Sequence, residues 1–136
     1  MRDADKVQEP MLDVAARGLP AARVPLPASP WLSRPQPRPH ARARLYCFPH
    51  AGVGASVYRQ WHAALPPEVE VCAVQLPGRE NRLGEPALTR IADIVQALVL
   101  AIEPQSNLPF AFFGHSMGAV VAFELAHALA RRGSAL

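Results

Sequence analysis

No stretch of the 136 residues stays apolar long enough for a secretory-signal core or for the roughly 20 residues of a membrane-spanning helix. The opening residues 1–11 are charged and polar, so a soluble, cytoplasmic chain is expected. Cysteine is scarce: Cys47 and Cys72 each sit inside an apolar run, which predicts buried thiols rather than a disulfide or a metal pair. Aromatic residues are few and are not interleaved with the arginines. The net charge of +3 therefore describes a scattered basic character, not a nucleic-acid surface. His40, His50, His62, His115 and His127 show no metal-ligand spacing, and no metal is expected. No internal repeat and no second domain are visible, and a monomer is expected.

What is abundant at the start is proline. Pro10, Pro20, Pro25, Pro27, Pro30, Pro35, Pro37 and Pro39 stand among alanines and arginines with no sustained apolar period, which predicts a disordered extension over residues 1–43. A transit peptide is the rival reading, but Asp3, Asp5, Glu9 and Asp13 break the acid-poor pattern that such peptides need.

From residue 44 the texture changes to apolar segments separated by turn residues, in the order strand, helix, strand, helix, strand, helix. That order predicts an α/β fold with a parallel sheet of about three strands and crossover helices over residues 44–136. The strands are read at 44–48, 69–76 and 110–113, and a short helix at 56–65 is stopped by Pro66 and Pro67. Thr89 offers a cap for a second helix, in which Ile91, Ile94, Val95, Leu98 and Ile102 recur at helical spacing. The last helix, 117–132, is apolar nearly all round, which predicts burial between the sheet and another layer; Gly133 is its stop.

Gly114, His115, Ser116, Met117 and Gly118 match G-x-S-x-G. Alone the pattern is common, but here an apolar strand, F-A-F-F, enters it directly and a long helix leaves it directly. That is the setting of a nucleophile elbow, a strained strand-to-helix turn that pushes a serine out at the carboxyl end of a parallel sheet. Side chains at 114 and 118 would collide with the flanking strand and helix, which explains the two glycines. Ser116 is then the candidate nucleophile and the Met117 N–H one oxyanion donor. The second donor is expected from His50, Ala51 and Gly52, in the loop after the first strand. A dinucleotide-binding turn at Gly52, Val53 and Gly54 is disfavoured, because Val57 holds the third glycine position and the next strand ends in Gln75 and Leu76, not in an acid. His50 and His115 read as packing or hydrogen-bonding residues.

Three motifs, C-F-P-H-A-G at 47–52, L-P-G-R-E-N-R at 76–82 and G-H-S-M-G-A at 114–119, resemble those of the type II (external) thioesterases of nonribosomal peptide and polyketide synthesis, members of the α/β-hydrolase superfamily. The resemblance runs from about residue 44 to the C-terminus. It implies that Ser116 is the nucleophile and that the Ala51 and Met117 amides form the oxyanion hole. It implies further that the substrate is an acyl chain on the phosphopantetheine arm of an acyl or peptidyl carrier domain, with no cofactor of the enzyme's own.

Val53 departs from the pattern, since the family often has a second glycine there. The P-G-R-E segment carries no chemistry that spacing reveals and reads as a turn with a charged, solvated tail. The family's acid and histidine follow the serine, yet here only Glu124 and His127 do so, roughly 12 to 17 Å along the helix. They cannot complete a triad. The expectation is therefore the N-terminal portion of such an enzyme, about half the family's length, inactive alone. A generic esterase, an acyltransferase and a non-catalytic carrier-binding protein remain the alternatives.

Overall fold

The computed structural model describes residues 28–134. Four strands form one sheet: β1 (Leu32–Ser33), β2 (Ala43–Phe48), β3 (Val69–Val74) and β4 (Phe110–Gly114), in the order β1-β3-β2-β4. β2 pairs parallel with both β3 and β4, and β1 runs antiparallel to β3 at the edge. Two helices, α1 (Ile91–Ile102) and α2 (Met117–Arg131), connect and follow these strands.

The strands alternate between two cores, as a period of two requires. Tyr46, Phe48, Cys72 and Val74 face the helices, where Ile94, Leu98 and Ile102 of α1 meet Val121, Leu125 and Leu129 of α2. Cys47, Val71 and Ala73 face the other way, against Ala55 and Tyr58. Burial raises the Cys47 thiol to about 12 and the Cys72 thiol to about 11, with the neighbouring thiol and Glu70, respectively, adding to the effect. At the opposite end from the elbow, Arg44 and Glu70 form a buried ion pair at 3.1 Å. Further hydrogen bonds support it in burial: Arg44 also donates to the Gln105 carbonyl and to Asn107 Oδ1, and Glu70 accepts from the Arg38 N–H.

Four expectations need correction. Proline content predicts a disordered extension over residues 1–43, but residues 28–43 are part of the folded unit; residues 1–27 lie outside those described. β1 is only two residues long, too short to show a period, and prolines are tolerated at such an edge. Trp31 and Leu32 pack on the core, and the Arg38 guanidinium donates to the carbonyls of Pro66, Val69 and His62.

The helix at 56–65 is two 3-10 turns, Ala55–Tyr58 and Trp61–Ala64, since so short a run nucleates an α-helix poorly. Thr89 does not cap α1: Arg90 holds the cap position, without a side-chain bond. Lastly, α2 is not covered all round. Val120 and Phe123 are exposed, because among the described residues no element lies over that face.

Both thiols are expected to resist a thiol reagent at pH 8 in the folded protein and to react fully in denaturant. Rapid stoichiometric labelling of the native chain would contradict the burial described above.

Candidate active site at the β4–α2 turn

The site is built where β4 ends. Its last pair with β2 joins Gly114 to Phe48, and the His115 N–H still donates to the Phe48 carbonyl at 3.3 Å. The chain then reverses within one residue. Ser116 has φ 53° and ψ −119°, and α2 begins at Met117. For a residue with a Cβ this conformation costs on the order of 1–3 kcal/mol, and it persists only where the surroundings over-determine it.

The surroundings are backbone. A Cβ on Gly114 would lie 2.5 Å from the Gly118 oxygen and 2.6 Å from Ala119 Cα. On Gly118 it would fall onto the Phe48 carbonyl, 2.6 Å from both Phe48 C and Pro49 O. Helix and strand are thus in direct backbone contact on both sides of Ser116.

A serine before a helix ordinarily folds its hydroxyl onto the first amides as a cap. Ser116 makes no such bond; its carbonyl, not its side chain, accepts from the Ala119 N–H at 2.9 Å. The side chain is exposed at the carboxyl end of the sheet. Among the described residues the Met117 N–H has no acceptor, as the first helical position leaves it.

The loop after β2 sits beside this turn. The Phe48 carbonyl that receives His115 also receives the Tyr58 hydroxyl at 2.8 Å. The rings of His50 and His115 meet edge to face at 5.0 Å, joining loop to elbow. Ala51 is exposed in the turn closed by Val53 N–H to His50 O, and its own N–H has no acceptor among the described residues. The dinucleotide alternative loses further ground here. The helix after Gly54 is a single 3-10 turn, and its first amides are taken by the Gln75 and Glu80 side chains.

Glu124 and His127 are exposed along α2, about 12 and 17 Å from Ser116 by helical rise, and His127 packs on Phe123 at 4.5 Å. They are not brought to Ser116. No group of three His, Cys, Asp or Glu among the described residues could hold a metal.

Glu80 of the P-G-R-E segment is exposed, as a charged tail would be, but the motif closes on a buried charge three residues after Arg79. Arg82 is buried, donates twice to Glu85 at 2.7 and 2.8 Å and to the Gln75 carbonyl at 3.0 Å, and stacks 4.4 Å over Trp31. The Arg82–Glu85 spacing of three was the only sequence signal of this. Gln75, Glu80 and Asn81 form a further network in which Gln75 and Glu80 reach the loop after β2, invisible to spacing because the loop residues are 20 and 24 positions away.

Gly118→Ala is expected to cost about 1–3 kcal/mol or more, because strand backbone cannot yield as a side chain can. Gly84→Ala, where no atom lies within 4 Å, is expected to stay within about 0.5 kcal/mol. Denaturant midpoints of the two variants check this.

Residues 43–136 match the thioesterase domain model. The Gramicidin S biosynthesis protein GrsT of Aneurinibacillus migulanus is 49% identical over 94 residues, covering 69% of this chain and 37% of GrsT. The type II thioesterase BorB from the borrelidin biosynthetic cluster superposes with a TM-score of 0.76 at 39% identity, covering 82% of this chain and 46% of BorB. YbtT, a type II thioesterase from the Yersiniabactin NRPS/PKS pathway, superposes with a TM-score of 0.68 at 31% identity, covering 77% of this chain and 43% of YbtT. The chain spans less than half the length of each of these proteins. With its elbow, its parallel sheet and these likenesses in hand, the chain belongs to the thioesterase domain family, with type II thioesterases of NRPS/PKS pathways among its homologues.

Proposed function

We propose that Ser116 is the nucleophile of a thioesterase that removes acyl groups from the phosphopantetheine arms of acyl or peptidyl carrier domains. The observation that carries this reading is an exposed serine in a strained backbone conformation, with its hydroxyl unused as a helix cap. In the full-length protein a histidine deprotonates Oγ, which attacks the thioester carbonyl carbon. The tetrahedral oxyanion that forms is held by the Ala51 and Met117 N–H groups, each such donor being worth about 10²–10³ in rate. Collapse of the intermediate expels the carrier thiol, which takes the proton from the histidine. Water, activated by the same histidine, then releases the acid and restores Ser116.

No cofactor takes part, since the phosphopantetheine belongs to the substrate. Glu124 and His127 lie too far along α2 to serve Ser116, and this reading takes the histidine and its orienting acid from outside residues 28–134. Two free, buried thiols suit a reducing cytoplasm, where a monomer would meet its carrier domains.

The test compares the full-length protein on an acyl-carrier thioester and on a simple acyl ester. Carrier thioester is expected to be turned over preferentially, and Ser116→Ala to lower kcat by about 10⁴ or more. Equal rates on the simple ester would favour a generic esterase, and transfer to an acceptor thiol without release of acid would favour an acyltransferase. Residues 1–136 alone are expected to show no turnover; full activity of that piece would contradict the assignment of the missing partners.

A further inference from the structure

The loop from Phe48 to Ser56 is tied at both ends by side chains that the mechanism above does not use. At its start the Tyr58 hydroxyl holds the Phe48 carbonyl. At its end Gln75 Oε1 accepts from the Ala55 N–H at 2.7 Å, and Glu80 Oε1 accepts from the Ser56 N–H at 3.2 Å and from the Ser56 hydroxyl at 2.5 Å. The two acceptors are themselves joined. Gln75 Nε2 donates to Glu80 Oε2 at 2.9 Å and to Asn81 Oδ1 at 2.8 Å, so every polar atom of the Gln75 amide is engaged.

Two observations say that this latch is more than surface hydrogen bonding. Glu80 sits at φ 43°, a left-handed conformation that is costly for a side-chain-bearing residue and that turns its carboxylate toward the loop. Gly54 lies directly against both latch side chains: a Cβ there would lie 2.5 Å from Glu80 Cδ and 2.6 Å from Gln75 Oε1, so the carboxylate and the amide would have to shift. Among the described residues Glu80 has no ion-pair partner. Its acceptors go to the loop amide and hydroxyl and to Gln75.

We propose that Gln75 and Glu80 are positioning residues of the oxyanion loop, holding Ala55 and Ser56 so that the Ala51 N–H stays aimed at the carbonyl attacked by Ser116. The inference rests on the reading of Ala51 as a donor. The Ser56 hydroxyl, first, and Gln75 hold the Glu80 carboxyl below the usual carboxylate range. A depressed carboxylate contributes order above its unfolded value of about 4.3 and loses it as pH falls further, so the latch is intact at neutral pH.

The experiment uses the full-length protein and the variants Gln75→Ala, Glu80→Ala, Glu80→Gln and Ser56→Ala, with Ser116→Ala alongside. Loss of the latch is expected to lower kcat on an acyl-carrier thioester by about 10²-fold in Gln75→Ala and Glu80→Ala, the worth of one oxyanion donor, with KM changed less than about threefold. Amide exchange at Ala55 and Ser56 should quicken at least about tenfold while Gly118, Ala119 and Val120 keep their protection. Glu80→Gln, which keeps an oxygen for Ser56 but sets an amide N–H against the Gln75 Nε2 donor, should recover part of the lost kcat.

Folded Gln75→Ala and Glu80→Ala proteins with wild-type kcat would overturn the proposal, as would loss of protection spread equally over loop and elbow. Should either alanine variant fail to fold, Ser56→Ala decides: a lower kcat at constant KM supports the latch, and an unchanged kcat overturns it. Ser116→Ala separates the two readings. Turnover that survives it removes the nucleophile assignment, whereas its loss together with wild-type kcat in the latch variants removes only the positioning role.

Discussion

The site depends on a contact between two pieces of backbone. The first turn of α2 lies so close to the end of β2 that Gly118 touches the Phe48 carbonyl, and on the other side Gly114 touches the same turn of helix. With no room for a Cβ at either point, the chain between them can reverse only by placing one residue, Ser116, at positive φ. The strain is local and the restraint is not: it comes from a sheet register that ends at Phe48 opposite Gly114, and from a helix anchored by Val121, Leu125 and Leu129. Exposure of the serine hydroxyl is a consequence of that approach, and the helix start that follows leaves the Met117 N–H without an acceptor among the described residues.

The same carbonyl organises the neighbouring loop. Phe48 O receives the His115 N–H and the Tyr58 hydroxyl, so the end of one strand fixes both the elbow and the start of the loop that carries Ala51. Loop and elbow are therefore not independent. A change that moves β2 by a few tenths of an ångström shifts Ser116 and the Ala51 N–H together, which is how a rigid sheet can support a site made of turns.

Much of this was legible from the chain. β2, β3 and β4 are apolar runs between turn residues, α1 shows its stripe at Ile94, Leu98 and Ile102, and the glycines at 114 and 118 announce the elbow. What stayed hidden involves long-range partners or very short elements. β1 is two residues in a proline-rich stretch, and its place comes from Trp31 and Leu32 packing on residues 40 positions away. Arg82 looks like a solvated charge until Glu85, the Gln75 carbonyl and Trp31 surround it. Composition alone overstates the burial of α2: Val120 and Phe123 have the character of a core and the exposure of a surface, on a chain that spans less than half the length of BorB.

The claim that the rest hangs on is that the hydroxyl at position 116 is a nucleophile held ready by backbone crowding. It is tested most directly by treating the full-length protein with a fluorophosphonate and mapping the adduct by peptide mass spectrometry. One phosphonyl group per chain, on the peptide that carries Ser116 and absent from Gly118→Ala at equal reagent exposure, is the expected result. A protein that turns over carrier thioesters while its adduct maps to another residue, or while Ser116 stays unmodified, would contradict the account.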